Sequence, residues 1–254
     1  MSNCNKGEII LVGAGPGDPE LLTIKGLNAI RKADVILYDA LINPVLLEHN
    51  SHAEKVFVGK RCGYVKKNQQ EINQLLVEYA LKGKKVVRLK GGDPFIFGRA
   101  AEELAIAQFF GLHTQVIPGI SSFVGIAAQH QIPLTKRATY ESLWITTGHT
   151  HDGKISSDIA VAAQSKATVI VLMGMGFLNQ IIDEFQRYKP ADYPVAIIQN
   201  GTTAAEKTIV GSLENIIERV EEHQIGNPAN IIFGHAVTDQ VVHFKHLKSV
   251  ECVN

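Results

Sequence analysis

The segment EIILVGAGPGDP, residues 8–19, is the strongest indication of the fold class, because a short apolar run ends there in a turn rich in glycine and proline. After it, the apolar side chains of Ile24, Leu27 and Ile30 recur at helical spacing. A second apolar run, VILY, follows at residues 35–38. A strand, a glycine-rich turn, a helix and another strand in this order indicate a mainly parallel sheet that is covered on both faces.

The same alternation continues through the first half of the chain. We expect strands at 55–58 and 85–89, an amphipathic helix near 71–81 and a further helix from about 100 to 110. The segment TQVIPG, 114–119, carries a strand into Pro118-Gly119, where proline cannot continue the strand pairing. This breakpoint predicts two domains, residues 1–117 and 118–254.

The second half also alternates, but less regularly. Predicted helices lie at 121–131, 177–187 and 213–220, and predicted strands at 142–146, 168–172, 195–199, 207–210 and 230–233. Some of these strands have little sequence between them, so their sheet is expected to be mixed. The fold class is therefore α/β, with two α/β domains and a ligand cleft between them.

Composition excludes several classes of protein. With 254 residues, 45% of them hydrophobic and 20% charged, the chain can bury a core. No apolar run approaches the roughly 18 residues of a membrane span, and the N-terminus lacks an apolar signal region, so we expect a cytoplasmic protein with no membrane partner. A net charge of zero argues against a nucleic-acid partner.

Cysteine and histidine spacing argues against a metal site. Cys4, Cys62 and Cys252 are scattered, which fits a reducing compartment and neither a disulfide scaffold nor a zinc site. His149 and His151 have no third ligand at suitable spacing. We therefore expect no bound metal.

Charge is unevenly distributed, because eleven basic residues and only three acidic ones lie between Lys55 and Arg99. One interpretation is a solvated face, and the other is a cleft wall that receives a polyanionic small molecule.

The loop GAGPGD, 13–18, directly follows a strand, where α/β sheets bind ligands. A dinucleotide fingerprint would need a third glycine at position 18, which is Asp, and an aspartate there would repel a pyrophosphate. Asp39 could nevertheless serve as the ribose-binding acid of such a site. A purely structural turn is the third interpretation.

The segment RLKGGDPFIFGR, 88–99, combines charged, flexible and aromatic residues just after a predicted strand. Its glycines allow close approach of a ligand, and Asp93 offers an acceptor for a ligand amine or hydroxyl. Phe95 and Phe97 would line a ligand site or belong to the core.

Together, six motifs resemble, in order, those of the uroporphyrinogen-III C-methyltransferases of the tetrapyrrole methylase family. They are VGAGPGDP, the pair Tyr38-Asp39, VGKR at 58–61 with Gly63-Tyr64, RLKGGDPFIFGR, VIPGIS and IPLT at 132–135. The resemblance runs from about Glu8 to His243, and the GKR-x-GY segment is its most specific part. Because the chain starts almost at its first strand, it resembles the standalone form of the enzyme.

The resemblance implies class III methyltransferases with S-adenosyl-L-methionine as methyl donor and a tetrapyrrole as acceptor. It implies methylation of uroporphyrinogen III at C-2 and C-7, which gives precorrin-2 via precorrin-1 in sirohaem and cobalamin biosynthesis. It also implies a homodimer. Asp39 and Lys60 match the proton acceptor and proton donor, and Lys60, Arg61 and Lys66 are expected to bind substrate carboxylates. The donor would contact Pro16, Gly91, Gly92, Asp93, Ile96, Ser121, Ser122, Met173 and Gly201.

Two positions depart from the family pattern. Ser121-Ser122 replaces a Thr-Ala pair, and Lys136 stands where histidine is common. Three other functions stay open: a later precorrin methylase or another methylase of the same fold, a nucleotide-binding oxidoreductase, and a ligand-binding regulatory module without catalysis.

Overall fold

A computed structural model gives the conformation of residues 6–59 and 68–239. The chain divides into two compact units, Met1–Gly125 and Ile126–Asn254. This division falls within a helix, whereas the sequence predicts domains that meet at 117 and 118. Those domain limits stay a prediction.

The first unit contains a five-stranded sheet in which every strand pairs in parallel, in the order β3-β2-β4-β1-β5. Its strands are β1 (Glu8–Gly13), β2 (Val35–Tyr38), β3 (Glu54–Phe57), β4 (Lys85–Lys90) and β5 (His113–Ile117). Its helices are α1 (Ile24–Arg31), α2 (Gln69–Leu81), α3 (Ala100–Phe109) and α4 (Ser122–Gln129), the last of which continues into the second unit. Short 3₁₀ turns lie at Pro19–Leu21 and Pro44–His49.

Alternate residues of β1 enter two different cores, which explains its continuous apolar sequence. Ile10 and Val12 pack in the cluster that contains Ile30 of α1. Ile9 and Leu11 pack in the cluster that contains Leu76 of α2. The sheet is therefore covered on both faces, as a buried parallel sheet requires.

Helix starts in this unit follow local capping rules. The hydroxyl of Thr23 accepts from the Gly26 amide at 3.0 Å at the start of α1. Asn68 and Glu71 form a reciprocal capping box at the start of α2. Both satisfy amide groups that a helix leaves unpaired.

The second unit contains a mixed sheet in the order β6-β7-β10-β8-β9. Its strands are β6 (Leu143–Thr147), β7 (Thr168–Leu172), β8 (Pro194–Gln199), β9 (Lys207–Ser212) and β10 (Ala229–Phe233). Only β6 and β7 pair in parallel, and the other pairs are antiparallel. The predicted α/β class and the mixed second sheet are confirmed.

Helices α5 (Asp158–Gln164), α6 (Leu178–Gln186) and α7 (Ile216–Glu222) complete this unit, with a 3₁₀ turn at Met175–Phe177. The rings of Phe185 and Phe233 stack in its core with centroids 3.8 Å apart. The sequence does not predict α5, because two turns of the alanine-rich segment DIAVAAQ give too short a pattern. Within the described residues, no helix has the length and apolar character that crossing a membrane requires.

Three glycines meet where β1, β4 and β5 end. A Cβ added to Gly119 would lie 2.3 Å from the Gly92 carbonyl oxygen, and one added to Gly13 would lie 2.4 Å from the Gly119 nitrogen. Both neighbours are backbone atoms, so neither can turn away. We call Gly13, Gly92 and Gly119 the glycine junction.

We expect Gly119→Ala to lower the free energy of unfolding by about 1–3 kcal/mol, the usual cost of overpacking. Gly176→Ala is the matched control, because nothing lies within 4 Å of a Cβ added there. Urea unfolding followed by circular dichroism measures both. Equal stability of the two variants would contradict the tight junction.

Candidate active site

Predicted site residues of the first unit lie at one edge of its sheet. Because all five strands are parallel, their carboxyl ends share this edge. Pro16 follows β1, Asp39 follows β2, residues 91–93 follow β4, and Ser121 and Ser122 follow β5. Lys60, Arg61 and Lys66 follow β3 in the chain but lie outside the described residues, so their predicted roles stay predictions.

Backbone hydrogen bonds join the loops that follow β1 and β4. The Gly92 amide donates to the Gly15 carbonyl at 2.7 Å, and the Gly15 amide donates to the Gly92 carbonyl at 3.3 Å. The Ala14 amide donates to the Lys90 carbonyl at 2.8 Å. Gly15 and Gly92 both have positive φ, at 81° and 66°, which glycine adopts without strain. These hydrogen bonds hold the two loops in a fixed position relative to each other.

Asp93 extends this connection to the loop after β5. Its Oδ2 accepts from the Gly119 amide at 3.1 Å, and its Oδ1 accepts from the Phe95 amide at 2.8 Å. From the sequence, Asp93 was expected to accept from a ligand. In the structure each oxygen of Asp93 accepts a hydrogen bond from a backbone amide, so the side chain stabilises the loops themselves.

Phe95, Ile96 and Phe97 are exposed at 59%, 38% and 45%, so the core interpretation of the two phenylalanines is wrong. Phe97 has a φ of 51° and Arg99 a φ of 58°, a backbone conformation that residues other than glycine rarely adopt. Strained backbone of this kind clusters at ligand sites. The exposed apolar segment 95–97 directly follows the second glycine loop, and the Ile96 amide donates to the Asp93 carbonyl at 3.3 Å.

The GAGPGD loop itself carries a structural aspartate. Asp18 Oδ1 accepts from the Glu20 amide at 2.8 Å and caps the turn Pro19–Leu21. Pro16 lies against α4, because a Cβ added to Gly125 would lie 2.7 Å from the Pro16 Cγ atom. These contacts explain why this loop departs from a dinucleotide fingerprint at position 18.

Four charged side chains form a network behind the edge. Glu103 of α3 is fully buried, and its carboxylate accepts from Arg88 Nε at 3.2 Å and from Lys90 Nζ at 3.0 Å. Arg88 Nη2 lies 3.2 Å from Asp39 Oδ2. Gln69 Nε2 also donates to Glu103, at 3.2 Å. We call Asp39, Arg88, Lys90 and Glu103 the charge network.

The alternation of β4 places this network inside the protein. Val87 and Leu89 face the cluster of α1, whereas Val86 faces the cluster of α2 and α3. Arg88 and Lys90 share the face of Val86 and are each 4% exposed. One buried ammonium group and one buried guanidinium group need a buried acid beside them, and Glu103 supplies it.

Burial lowers the pKa of Lys90 below its ordinary value, and the neighbouring Arg88 lowers it further. The carboxylates of Glu103 and Asp39 act in the opposite direction. Glu103 therefore offsets part of the cost of burying the ammonium group.

Several basic side chains between Lys55 and Arg99 are already paired with acids of the protein, so fewer of them are available to a ligand than the sequence suggests. Lys85 pairs with Glu8 at 3.0 Å and Arg99 with Glu102 at 2.7 Å, while Arg88 and Lys90 are buried and paired. For Arg88 and Lys90, both the cleft-wall and the solvated-face interpretations are wrong. The acids that compensate them come from other elements, which a count within the run cannot include.

In the second unit, strands β6, β7 and β8 run in the same direction, so their carboxyl ends share one edge. Met173 follows β7 there and is 45% exposed, with a φ of 54°. His149 follows β6, its Nδ1 atom lies 3.2 Å from the Met173 carbonyl oxygen, and its ring stacks on Phe177. The sequence does not identify His149 as a neighbour of Met173.

Gly201 follows β8 at the same edge, between two residues with positive φ, Asn200 at 50° and Thr202 at 66°. Glu206 Oε2 accepts from the Thr202 amide at 2.7 Å, and Glu206 Oε1 lies 2.8 Å from His130 Nε2. A Cβ on Gly201 would lie 2.3 Å from Ile126 Cγ1. Side chains therefore hold this loop in a conformation that its sequence does not favour.

Nothing in the described part of the chain resembles a metal centre: its His, Cys, Asp and Glu side chains form no group of three or more that could hold an ion. The three cysteines lie outside these residues.

We expect Glu103→Gln to lower the free energy of unfolding by about 3–5 kcal/mol, because it takes the buried anion away from Lys90 and removes one of the two anionic partners of Arg88. Glu102→Gln, on the same helix, removes an exposed pair worth about 0–1 kcal/mol. Urea unfolding of both variants tests the difference. A loss below about 1 kcal/mol for Glu103→Gln would contradict the buried network.

Known proteins resemble this chain over most of its length. The family model of the tetrapyrrole (corrin/porphyrin) methylases matches residues 8–217. The uroporphyrinogen-III C-methyltransferase of Methanocaldococcus jannaschii is 42% identical over 91% of this chain and 97% of its own length. The siroheme synthase of Pseudoalteromonas atlantica is 44% identical over 92% of this chain, which spans only 51% of that protein.

Solved structures give the same result. A uroporphyrin-III C-methyltransferase of Thermus thermophilus complexed with S-adenosyl homocysteine has a TM-score of 0.78 and 35% identity, covering 91% of this chain and 99% of its own. A cobalt precorrin-4 methyltransferase has a TM-score of 0.82 and 25% identity, covering 91% and 95%. The chain therefore belongs to the tetrapyrrole (corrin/porphyrin) methylase family.

Proposed function

We propose that this protein transfers methyl groups from S-adenosyl-L-methionine to C-2 and C-7 of uroporphyrinogen III, giving precorrin-2 by way of precorrin-1. The identity with the Methanocaldococcus jannaschii uroporphyrinogen-III C-methyltransferase, over nearly the full length of that enzyme, carries this proposal. The step belongs to sirohaem and cobalamin biosynthesis. As the family resemblance implies, we propose a cytoplasmic homodimer.

The loops of the first unit suit a methyl donor with a flat adenine ring and a cationic sulfonium. Ile96 presents an exposed apolar side chain, and Asp93 brings a carboxylate to the same turn. Gly92 leaves its backbone open, because a Cβ added there would lie 3.7 Å from the nearest atoms, whereas the space beside Gly91 is taken by Leu41, whose Cβ would lie 2.8 Å away. The proposed donor contacts are Pro16, Gly91, Gly92, Asp93, Ile96, Ser121 and Ser122, with Met173 and Gly201 from the second unit.

The donor supplies the methyl group, so the chain's own task is chiefly one of positioning. A pyrrole carbon is already electron-rich and needs no strong base to become a nucleophile. Holding this carbon in line with the methyl group at near-attack distance accounts for much of the rate. Loops fixed by the glycine junction and by Asp93 provide such a rigid frame.

Asp39 is the group we assign to the charge that develops on the substrate. Methyl transfer leaves the pyrrole ring cationic, and a nearby carboxylate stabilises that charge and accepts a proton as the ring becomes neutral. Asp39 Oδ1 accepts from the Leu41 amide at 3.0 Å, and Oδ2 faces Arg88. Each oxygen keeps a lone pair for the substrate.

Lys60, Arg61 and Lys66 are assigned to the acidic side chains of the substrate. Arginine suits bidentate contact with a carboxylate, and lysine acts as a compact point charge. Lys60 is also proposed as the proton donor, with anion binding as its alternative role. Four other basic residues of the run, Lys85, Arg88, Lys90 and Arg99, are already paired with acids of the protein and are not assigned to the substrate.

A later precorrin methylase is the second candidate. The backbone resembles that of the cobalt precorrin-4 methyltransferase at least as closely as that of the Thermus thermophilus enzyme. Sequence identity favours the uroporphyrinogen step, because it is 35% with the Thermus thermophilus enzyme and 25% with the cobalt precorrin-4 methyltransferase.

The direct test is anaerobic incubation with S-adenosyl-L-methionine and enzymatically generated uroporphyrinogen III, followed by mass spectrometry of the oxidised tetrapyrrole. We expect a mass gain of two methyl groups. Donor binding, confirmed separately by calorimetry, without any mass gain would instead assign the protein to a later precorrin or another acceptor.

Asp39→Ala and Asp93→Ala should separate chemistry from donor binding. Asp39→Ala should leave the Kd for the donor unchanged and lower kcat by about 10²-fold, a typical proton-transfer contribution.

Asp93→Ala should raise the Kd for the donor by about tenfold, because two hydrogen bonds to a charged group are lost from the loops. Calorimetry and steady-state assays measure both. An unchanged kcat in the first variant would remove Asp39 from the mechanism, and an unchanged Kd in the second would remove Asp93 from the donor site.

A further inference from the structure

Arg88 is the side chain that connects Asp39 to the interior of the first unit. Its Nη2 atom donates to Asp39 Oδ2 at 3.2 Å, and its Nε atom donates to Glu103 Oε1 at 3.2 Å. Its Nη1 atom donates to the Leu89 carbonyl at 2.9 Å and to the Leu37 carbonyl at 3.5 Å. One guanidinium group thus contacts β2, β4 and α3.

Leu37 and Arg88 are also opposite each other in the pairing of β2 with β4. From that position the Arg88 side chain runs toward the carboxyl end of β2, where Asp39 begins the next loop. Arg88 is 4% exposed, whereas the neighbouring Ala40 and Leu41 are exposed. Asp39 therefore stands at the boundary between a rigid interior and an exposed loop.

Glu103 fixes the other end of the guanidinium group. It is fully buried and accepts from Lys90 and Gln69 as well as from Arg88. The two cations on β4, Arg88 and Lys90, fix the direction of its carboxylate, and Gln69 adds a neutral contact from α2. Arg88 is consequently anchored at one end and meets Asp39 at the other.

We propose that Arg88 is a positioning residue for methyl transfer, which orients the Asp39 carboxylate toward the substrate through the buried Glu103. This inference rests on the proposed function, since it assumes that Asp39 acts on the reacting ring. The Leu41 amide holds only Oδ1 and belongs to the same exposed loop as Asp39. Arg88 supplies the second contact, and two fixed oxygens define the plane of the carboxylate.

An arginine is required for this task because of its geometry. Its planar fork of donors serves Glu103, two carbonyls and Asp39 at once. A lysine at the same position would keep a positive charge beside Glu103 but could not hold all of these partners. The substitution Arg88→Lys therefore removes orientation while retaining the cation.

We expect Arg88→Lys to lower kcat by between about tenfold and a hundredfold, the effect of a misplaced catalytic group. The KM for uroporphyrinogen III and the calorimetric Kd for the donor should each change less than about threefold, because the variant alters no proposed binding residue. Gln69→Leu is the matched control: it also removes a partner of Glu103 but does not touch Asp39. Its kcat should stay at the unaltered value.

A double variant tests whether Arg88 acts through Asp39. If it does, Arg88→Lys added to Asp39→Asn should cause no further loss of kcat, because the group that Arg88 orients is already disabled. Multiplicative losses would instead show an effect independent of Asp39 and overturn the proposal. A kcat for Arg88→Lys equal to that of Gln69→Leu would overturn it too.

Should Arg88→Lys fail to fold, Arg88→Gln is the alternative, because it removes the contact with Asp39 while the buried Glu103 stays paired with Lys90. The same kcat loss is expected, and an unaltered kcat would refute the positioning role. The unaltered protein separates the two proposals. If it does not methylate uroporphyrinogen III, the proposed function fails and Arg88 loses its role with it, whereas methylation with an insensitive Arg88→Lys variant refutes the positioning role alone.

Discussion

The close approach of three backbone segments at Gly13, Gly92 and Gly119 is the constraint on which the candidate site depends. Each of these glycines ends or follows a strand of the parallel sheet, and a single carbon atom added to Gly13 or Gly119 would collide with main chain. Because the contacts are between main-chain atoms, they fix the loops after β1, β4 and β5 without relying on any side-chain rotamer. Asp93 adds a charged tie across the same point.

Charge holds the neighbouring part of the site in a different way. Glu103, Arg88 and Lys90 lie in the core beneath α2 and α3, where an unpaired charge would be costly. Such networks add little net stability over apolar packing, but they tolerate only one arrangement of their partners. The charge network thus defines the direction of Asp39, while the glycine junction defines the position of the loops.

Sequence patterns predict the strands well, because ten short apolar runs separated by turns leave few alternatives. They do not reveal the charge network. The signal is present in KVVRLK, since alternation places Arg88 and Lys90 on the same face as Val86 in a strand covered on both sides. The partner is harder to find, because Glu102 and Glu103 are adjacent on an otherwise apolar helix, and only packing decides which one is buried.

The loop conformations, like the charge network and unlike the strands, cannot be predicted from local sequence. Phe97, Arg99, Met173 and Thr202 all adopt positive φ, which no propensity for these residue types predicts. Such conformations persist only where tertiary contacts impose them, as Glu206 does at Thr202. Strand patterns can be predicted from local sequence because burial of apolar side chains repeats along the chain. The site depends on single contacts between distant residues, and each of these has to be observed.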